Sequence, residues 1–379
     1  MDAVIVGGGL SGLSLAAHLA AGGWGDRSVV VVDDGARNPA DLAWAYWSAE
    51  PGLLAAAVSR EYDRLLVNAA GGPRVVRLGQ YRYRLVRGDD LHRAVAELLR
   101  DRPGFRLVTG RVEQIRDRPD GAEVGVDGGV LTARWAFDSV LGPPSPGPVR
   151  GRLAFVGWEV ECDQPVFDPR VPTLFDFRTP QPSGARFIYV LPVTDRRALV
   201  EHTTFIAGPP DPTIGPANEA IRGYLADVLA AGPYRVLRTE RGVLPLRTRT
   251  AERARGRVLT IGAAGGLIKA STGYGFDRIQ RDSAAITRSL VRHDHPFDVP
   301  APRRRHRFLD AVLLDVLARE PGQLPLAFGR LFARLPAESV LKFLAEDTTL
   351  AEEFRLVTAL PPAAYLRAVA GRVRAERPR

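Results

Sequence analysis

Three glycines, Gly7, Gly9 and Gly12, follow the apolar run Ala3–Val6 and open an alanine-rich stretch from Leu13 to Ala21. This is a G-x-G-x-x-G spacing between a strand and a helix, and the chemistry it serves is recognition of a pyrophosphate. Gly7 permits the tight turn, Gly9 lets the backbone approach a phosphate, and Gly12 lets helix and strand pack closely. Leu10 and Ser11 stand in the same glycine run and are expected at the cofactor, and the first N–H groups and positive dipole end of the helix suit an anion. A second apolar run, Ser28–Val32, ends at Asp33, where a carboxylate can accept hydrogen bonds from a ribose hydroxyl. Asp34 is the adjacent alternative, and the strand end favours Asp33. A second unit of this kind lies far down the chain. Arg257–Ile261 leads to Gly262, Gly265 and Gly266, then to Lys269-Ala-Ser-Thr-Gly-Tyr-Gly-Phe276 and a helix from about Asp277 to Val291. Two separated units are expected when FAD lies extended across one domain with another inserted. By fold analogy, the N-terminal position of the fingerprint also favours FAD over NAD. Arg87 ends the alternating run Tyr81–Arg87 just before a helix start. It is either a ligand of a cofactor phosphate or a solvated arginine.

Two acids stand inside apolar strands. In Leu199-Val-Glu-His-Thr-Thr-Phe205, Glu201 shares a face with Leu199, Thr203 and Phe205, while His202 and Thr204 face the other way. A carboxylate there is costly to ionise, so its pKa rises, and a neutral carboxyl is what a general acid needs near neutral pH. The competing reading is an edge-strand glutamate in water. In Leu174-Phe-Asp-Phe-Arg178, Asp176 and Arg178 share a face and can pair. The cluster Trp44, Tyr46 and Trp47 is either a core patch under a loop or the wall of an apolar substrate pocket.

These residues need a scaffold of several packed domains, and 379 residues with 45% hydrophobic content supply one. The pattern predicts a helix over Leu91–Leu99 capped by Asp89 or Asp90, and short strands through 105–140. It predicts a linker at Gly142–Pro148, β-rich segments from Leu153 to Ile206, and a helical tail from 303 to 379. Residues 36–74 carry no strong periodic signal. A discontinuous nucleotide-binding domain is expected over 1–75, 88–147 and 250–298, a substrate domain over 76–87 with 148–249, and a helical region over 299–379. The formal charge is +9 and almost entirely due to arginine, since Lys269 and Lys342 are the only lysines. The single cysteine, Cys162, excludes a disulfide framework and a multi-cysteine metal site, so no metal and a reducing cytoplasm are expected. No apolar stretch is long enough to span a bilayer, and no nucleic-acid motif is present. The tail helices either pack on the body or present a basic, apolar-faced surface to anionic membrane.

Taken in order, these motifs resemble the FAD-dependent lycopene cyclases of bacteria. The resemblance rests on Val4-Ile-Val-Gly-Gly-Gly-Leu-Ser-Gly-Leu13, Tyr81-Arg-Tyr-Arg84 with Arg87-Gly88, and Asp176-Phe-Arg178. It continues through Phe187-Ile-Tyr-Val-Leu-Pro192, Leu199-Val-Glu-His-Thr203, Gly262-Ala-Ala-Gly-Gly266 and Ser271-Thr-Gly-Tyr-Gly-Phe276. It implies an α/β fold like that of the flavoprotein hydroxylases: a Rossmann-like FAD-binding domain, an inserted β-sheet substrate domain and a helical C-terminal region. It implies redox-neutral cyclisation of a linear polyene with reduced FAD present; NAD(P)H is a candidate reductant, and the sequence leaves the reductant open. Glu201 is then the proton-transfer or cation-stabilising acid, and Asp176 matches a second acidic motif. Thr272 and Gly273 are expected at the cofactor, with Tyr274, Trp44, Tyr46 and Trp47 at the substrate. The partners implied are a hydrophobic polyene or terpenoid and peripheral contact with the inner face of a membrane. A cyclase of another terpenoid, an FAD monooxygenase and a flavoprotein that binds a polyene without turnover are the alternatives.

Overall fold

The computed structural model describes residues 1–142, 148–182, 184–206, 215–248 and 252–375. The chain opens with β1 (Ala3–Val6), α1 (Leu10–Ala21) and β2 (Val29–Asp33). The β-branched runs form buried strands, and the small residues of α1 let it sit buried on most of its surface. Then come β3 (Ala43–Ser48), β4 (Val58–Tyr62), β5 (Arg64–Ala69), β6 (Gly72–Arg77), β7 (Arg82–Arg87) and α2 (Gly88–Leu99). Arg87 itself occupies the N-cap of α2, so Asp89 and Asp90 fall in the first turn rather than at the cap. There they complement the helix dipole.

β8 (Phe105–Thr109), β9 (Val112–Arg118), β10 (Gly121–Val126), β11 (Gly129–Ala133) and β12 (Trp135–Asp138) follow. Most of the expected linker, residues 143–147, lies outside the described residues. Beyond it run β13 (Gly151–Cys162), β14 (Thr173–Asp176), β15 (Ala185–Pro192), β16 (Arg197–Ile206), α3 (Gly215–Gly223) with a π-helical turn at Tyr224–Val228, and β17 (Tyr234–Leu246). β18 (Ala254–Arg255), β19 (Val258–Thr260) and α4 (Phe276–His293) return to the first layer. The tail is α5 (Arg304–Arg319), α6 (Gln323–Arg334), α7 (Ala337–Leu344), α8 (Leu350–Ala359) and α9 (Pro362–Ala375).

Strand pairing sorts these elements into two main sheets. The first has the order β18-β19-β12-β1-β2-β8 and is parallel except at β18. The second has the order β17-β13-β16-β15-β14-β5-β6 and is antiparallel except where β14 meets β5. β3, β7 and β4 make a small antiparallel sheet, and β9 to β11 make a meander. The sheets correct the expected division of the chain. β5 and most of β6, expected in the nucleotide-binding domain by a boundary at residue 75 that falls inside β6, belong together at the edge of the second sheet. β7, expected in the substrate domain, pairs instead with β3 and β4. The cause is the parallel register of Leu66 with Thr173, a long-range pairing that no local pattern reports.

The largest apolar core lies between one face of the seven-stranded sheet, the small sheet and the tail helices. It joins Trp47, Tyr83, Phe187, Leu199, Phe328 and Leu341 among others. In α6 the buried residues Leu324, Ala327, Phe328, Leu331 and Phe332 repeat at helical spacing, and that face lies on the sheet. The opposite face of the sheet is covered by α3 and the π-helical turn, through Ile221, Tyr224 and Leu225.

In the first layer a β-carbon at Gly12 would lie 1.9 Å from the Gly7 carbonyl oxygen. Gly12→Ala therefore forces backbone apart from backbone, and it should lose at least the roughly 1–3 kcal/mol typical of overpacking. A urea unfolding midpoint equal to that of the unsubstituted chain would contradict this packing.

Candidate active site

β1, β2, β12 and β19 run parallel, so their C-terminal ends share one edge of the sheet, where open α/β sheets bind ligands. The Gly7–Gly9 turn sits at that edge, with Gly7 at φ 99°. Asp33 ends β2 and holds the turn, accepting from Gly8 N–H at 2.6 Å and Gly35 N–H at 2.9 Å. α1 starts at Leu10 and Ser11 without a side-chain cap, so its leading N–H groups are left for an anion. A β-carbon at Gly9 would meet nothing within 4 Å, and this open space is the room a pyrophosphate needs. The second glycine loop lies against the first: a β-carbon at Gly262 would fall 1.9 Å from Ser11 Oγ. Gly265 N–H donates to Ile261 O at 3.0 Å, and Gly266 N–H donates to Ala263 O at 3.1 Å. Further on, the N–H groups of Thr272 and Gly273 both donate to Lys269 O. The two units thus form one cradle that fits an extended dinucleotide. Arg87 is put to a different use from the one expected. Its Nη2 lies 2.6 Å from Glu159 Oε1, on the inserted sheet.

The loop that begins at Gly262 carries Tyr274 to the seven-stranded sheet. There Glu201 projects from β16 into the large core, level with Tyr189 on one side and Gly157 on the other. Beyond Gly157, in the same row, stands Glu240 of β17. The two glutamates are separated by a strand, about 9–10 Å between backbones. Their carboxyls hydrogen-bond to each other over the bare glycine. Glu201 Oε1 also accepts from Thr203 Oγ1 at 2.9 Å. Burial pushes the Glu201 carboxyl well above the usual range, and the nearby negative charge of Glu240 adds to the effect. Burial raises Glu240 as well, but the Arg238 guanidinium and the hydrogen bond from Glu201 oppose the rise. Arg238 Nη2 is 3.9 Å from Glu240 Oε2, and Arg238 Nε is 3.1 Å from Glu159 Oε2. Glu201 is therefore the neutral acid of the pair.

Aromatic rings line the space beside it. Tyr274 Oη lies 3.2 Å from Tyr83 Oη and 3.4 Å from Tyr189 Oη. Trp47 meets Tyr274 edge-on at 4.6 Å, and Phe187 meets Tyr189 edge-on at 5.1 Å. α6 closes the pocket by stacking Phe328 on Phe175 at 4.3 Å. α7 anchors Trp47, whose Nε1–H donates to Leu341 O at 3.0 Å.

Two expected residues are not brought here. Asp176 pairs with Ile188, which pairs with His202, so both polar groups point to the opposite face of the sheet. Asp176 is fully buried there, bonded to Arg178 Nη2 at 2.7 Å, Tyr224 Oη at 2.7 Å and Asn68 Nδ2 at 3.1 Å. It pairs with Arg178 as expected, but it does not join Glu201 in one site, so the structure gives it a structural place rather than a catalytic one. His202 is also buried on that side, and burial pushes its imidazole down to about 4. Of the aromatic cluster, Trp47 packs on Tyr274, and Tyr46 lines a small cavity with both of them while it stacks on Phe276 at 4.1 Å. Trp44 packs against the core of the parallel sheet. The sequence reading missed Glu240 altogether. The signal available was the alternation Arg238, Glu240, Gly242, Leu244 along β17, which reads equally well as a wet edge strand. Among the described residues, no group of His, Cys, Asp and Glu is arranged to hold a metal.

Comparison with known proteins bears on both halves of this site. The family described as "Lycopene cyclase protein" matches residues 2–370. A lycopene beta-cyclase of Paracoccus sp. (strain N81106 / MBIC 01143) is 28% identical over 262 residues, which cover 62% of this chain and 61% of that one. The lycopene beta-cyclase of Pantoea ananas is 25% identical over 232 residues, 58% of this chain and 59% of that one. The chain thus spans about three fifths of the length of these curated relatives. Among solved structures, a geranylgeranyl bacteriochlorophyll reductase-like protein from Thermoplasma acidophilum superposes with a TM-score of 0.65 at 12% identity, over 97% of this chain and 98% of that one. Klebsiella pneumoniae HpxO, solved with FAD and uric acid, gives 0.63 at 16% identity, over 92% and 96%. PqsL of Pseudomonas aeruginosa, a probable FAD-dependent monooxygenase, gives 0.57 at 17% identity, over 91% and 99%. At these identities the likeness is one of fold: a Rossmann-like flavoprotein architecture with an inserted sheet and C-terminal helices.

The cradle is testable apart from the acid. Gly9→Val places a branched side chain in open space, so the variant should fold with an unchanged unfolding midpoint. It should fail to bind FAD in a fluorescence titration in which the unsubstituted chain binds. Retained binding would contradict the assignment of this turn to the phosphates.

Proposed function

Because this chain belongs to the lycopene cyclase family, we propose that it closes rings at the ends of a linear polyene such as lycopene, without net oxidation or reduction. The observation that carries the reading is a half-buried Glu201 carboxyl that faces the aromatic side chains of the large core, where desolvation favours its neutral form. The proton on Glu201 adds to the terminal double bond of the polyene. The neighbouring alkene attacks the resulting cation and closes a six-membered ring. A proton then leaves the ring and returns to the Glu201 carboxylate, so product and substrate have equal mass. The faces of Trp47, Tyr83 and Tyr274 attract the positive charge while it exists. Exclusion of water by α6 and α7 keeps the cation from being captured as an alcohol and strengthens every charge interaction in the pocket.

FAD is the group proposed for the cradle, and in its reduced, anionic form it supplies negative charge that favours a nearby cation. Gly7, Gly9, Leu10, Ser11 and Gly12 would hold its pyrophosphate, Asp33 its ribose, and the loop from Gly262 to Gly273 its remaining length. NAD(P)H is the proposed reductant.

Anaerobic incubation with lycopene in liposomes, with the flavin chemically reduced, should give a product of unchanged mass and shifted absorption. A product that has gained oxygen would overturn the reading in favour of monooxygenation. Glu201→Gln keeps the shape of the side chain but not its proton, and it should lower kcat by about 10²–10⁴-fold while FAD stays bound.

A polyene resides in membrane, and the tail has a surface suited to reaching it from the cytoplasmic side. α8 exposes Leu350 (68%) and Phe354 (71%) one turn apart, and α9 exposes Leu366 (65%) and Val373. Arg355, Arg367 and Arg374 are exposed beside them, and the chain carries a charge of +9. No described helix is long and apolar enough to cross a membrane. The chain should float with vesicles containing phosphatidylglycerol, and Phe354→Asp should weaken flotation. Equal flotation of both proteins would remove α8 from the contact.

A further inference from the structure

Glu201 does not stand alone, and its neighbour has no role in the reaction as described so far. Glu201, Gly157 and Glu240 form one row across three strands. A β-carbon at residue 157 would lie 2.9 Å from Glu240 Cγ, 3.0 Å from Glu240 Oε1 and 3.1 Å from Leu199 Cδ1. Any side chain there would fill the gap through which the carboxyls meet. Thr203 donates to Glu201 Oε1, and Glu240 hydrogen-bonds to the same carboxyl.

The charges around the pair are unequal. On the Glu240 side, Glu159 is buried among three guanidiniums, those of Arg87, Arg197 and Arg238, at 2.6, 2.5 and 3.1 Å. Three cations thus face two carboxylates, Glu159 and Glu240. On the Glu201 side, the described residues supply the phenols of Tyr83, Tyr189 and Tyr274, the hydroxyl of Thr203 and apolar side chains. A shared proton therefore rests on Glu201, and the negative charge rests on Glu240.

We propose that Glu240 is a positioning residue for the cyclisation: as a fixed carboxylate across Gly157, it keeps the proton on Glu201 and draws a proton back to Glu201 after each turnover. The proposal rests on Glu201 being the acid. When Glu201 gives its proton to the terminal carbon, two carboxylates face each other in an apolar pocket. Their repulsion favours return of one proton, taken from the ring carbon beside the cation. One proton leaves the pair and one comes back, with no oxidant or reductant consumed.

Infrared titration of the unliganded protein reads this directly, whether or not lycopene is the substrate. A carboxylic-acid C=O band should persist above neutral pH and vanish in Glu201→Gln, which assigns it. In Glu240→Gln, an isosteric change, the band should disappear at a pH lower by about one unit or more, because the neighbouring charge is gone. Gly157→Ala, which parts the two side chains, should shift it the same way. In turnover, the high-pH limb of kcat should move down by the same amount, with KM for lycopene unchanged. A band that titrates identically in Glu240→Gln and the unsubstituted chain would overturn the proposal, as would the absence of any band assignable to Glu201. Loss of kcat with no shift of either profile would also overturn it, since that is what a purely structural role produces. Failure of lycopene to react while the band still shifts would strike the substrate assignment and leave the pair intact.

Discussion

A carboxyl that must stay neutral sets the terms for everything around it. In water Glu201 would ionise, so the fold has to keep water from it, and most of the chain contributes. β15 and β16 supply the floor, β7 and the glycine loop supply tyrosines, and the tail helices supply the roof. The tyrosine hydroxyls bond to one another, which satisfies buried polar groups without bringing a cation to the acid. The guanidiniums are kept one strand further away, on Glu159. A single arginine beside Glu201 would make it an ion pair and end its usefulness as an acid.

The roof must also stay in register with the cradle, and buried charge does this. Lys269, in the glycine loop, places its ammonium 2.8 Å from Asp310 of α5 and 2.7 Å from Glu346 just beyond α7. His306 and Arg305 extend the cluster to Glu353 of α8. Breaking such a buried pair by deleting one partner typically costs about 3–5 kcal/mol, because the other charge is left stranded. The same loop that lies against the cofactor cradle is thereby tied to the helices that exclude water from the acid. Arg238 makes a second tie, since Nη1–H donates to Ala40 O across the layers.

What the sequence could show follows from the range of the interactions. The β1–α1–β2 unit is local, and its glycines and terminal Asp33 were legible from spacing, although α1 begins at Leu10, three residues before the apolar run that marked it. Glu201 was legible because a carboxyl in the run Leu199–Phe205 breaks a strong apolar pattern. Its face was legible too, since alternation separates it from His202. Asp176 looked equivalent on the same grounds, but which face of the sheet it occupies depends on its register with β15. That register is set by tertiary pairing, and β14 stops at Asp176. Trp44, Tyr46 and Trp47 could not be sorted without knowing that β3 separates two cores. Glu240 was hidden most completely. Its meaning lies in a glycine on another strand, more than eighty residues earlier in the chain.

The bond between Trp47 and Leu341 spans 294 residues of sequence. At ribosomal speeds of about 5–20 residues per second, roughly 15–60 seconds separate the synthesis of its two ends. In the later part of that interval, once residue 201 has been made, Glu201 stands on a chain whose roof is still missing, and solvent can reach it. Its acidity in the nascent protein is therefore that of an ordinary glutamate. The carboxyl becomes a neutral acid only when the last helices close over it, so a chain cut short on the ribosome carries the reactive residue without its reactivity.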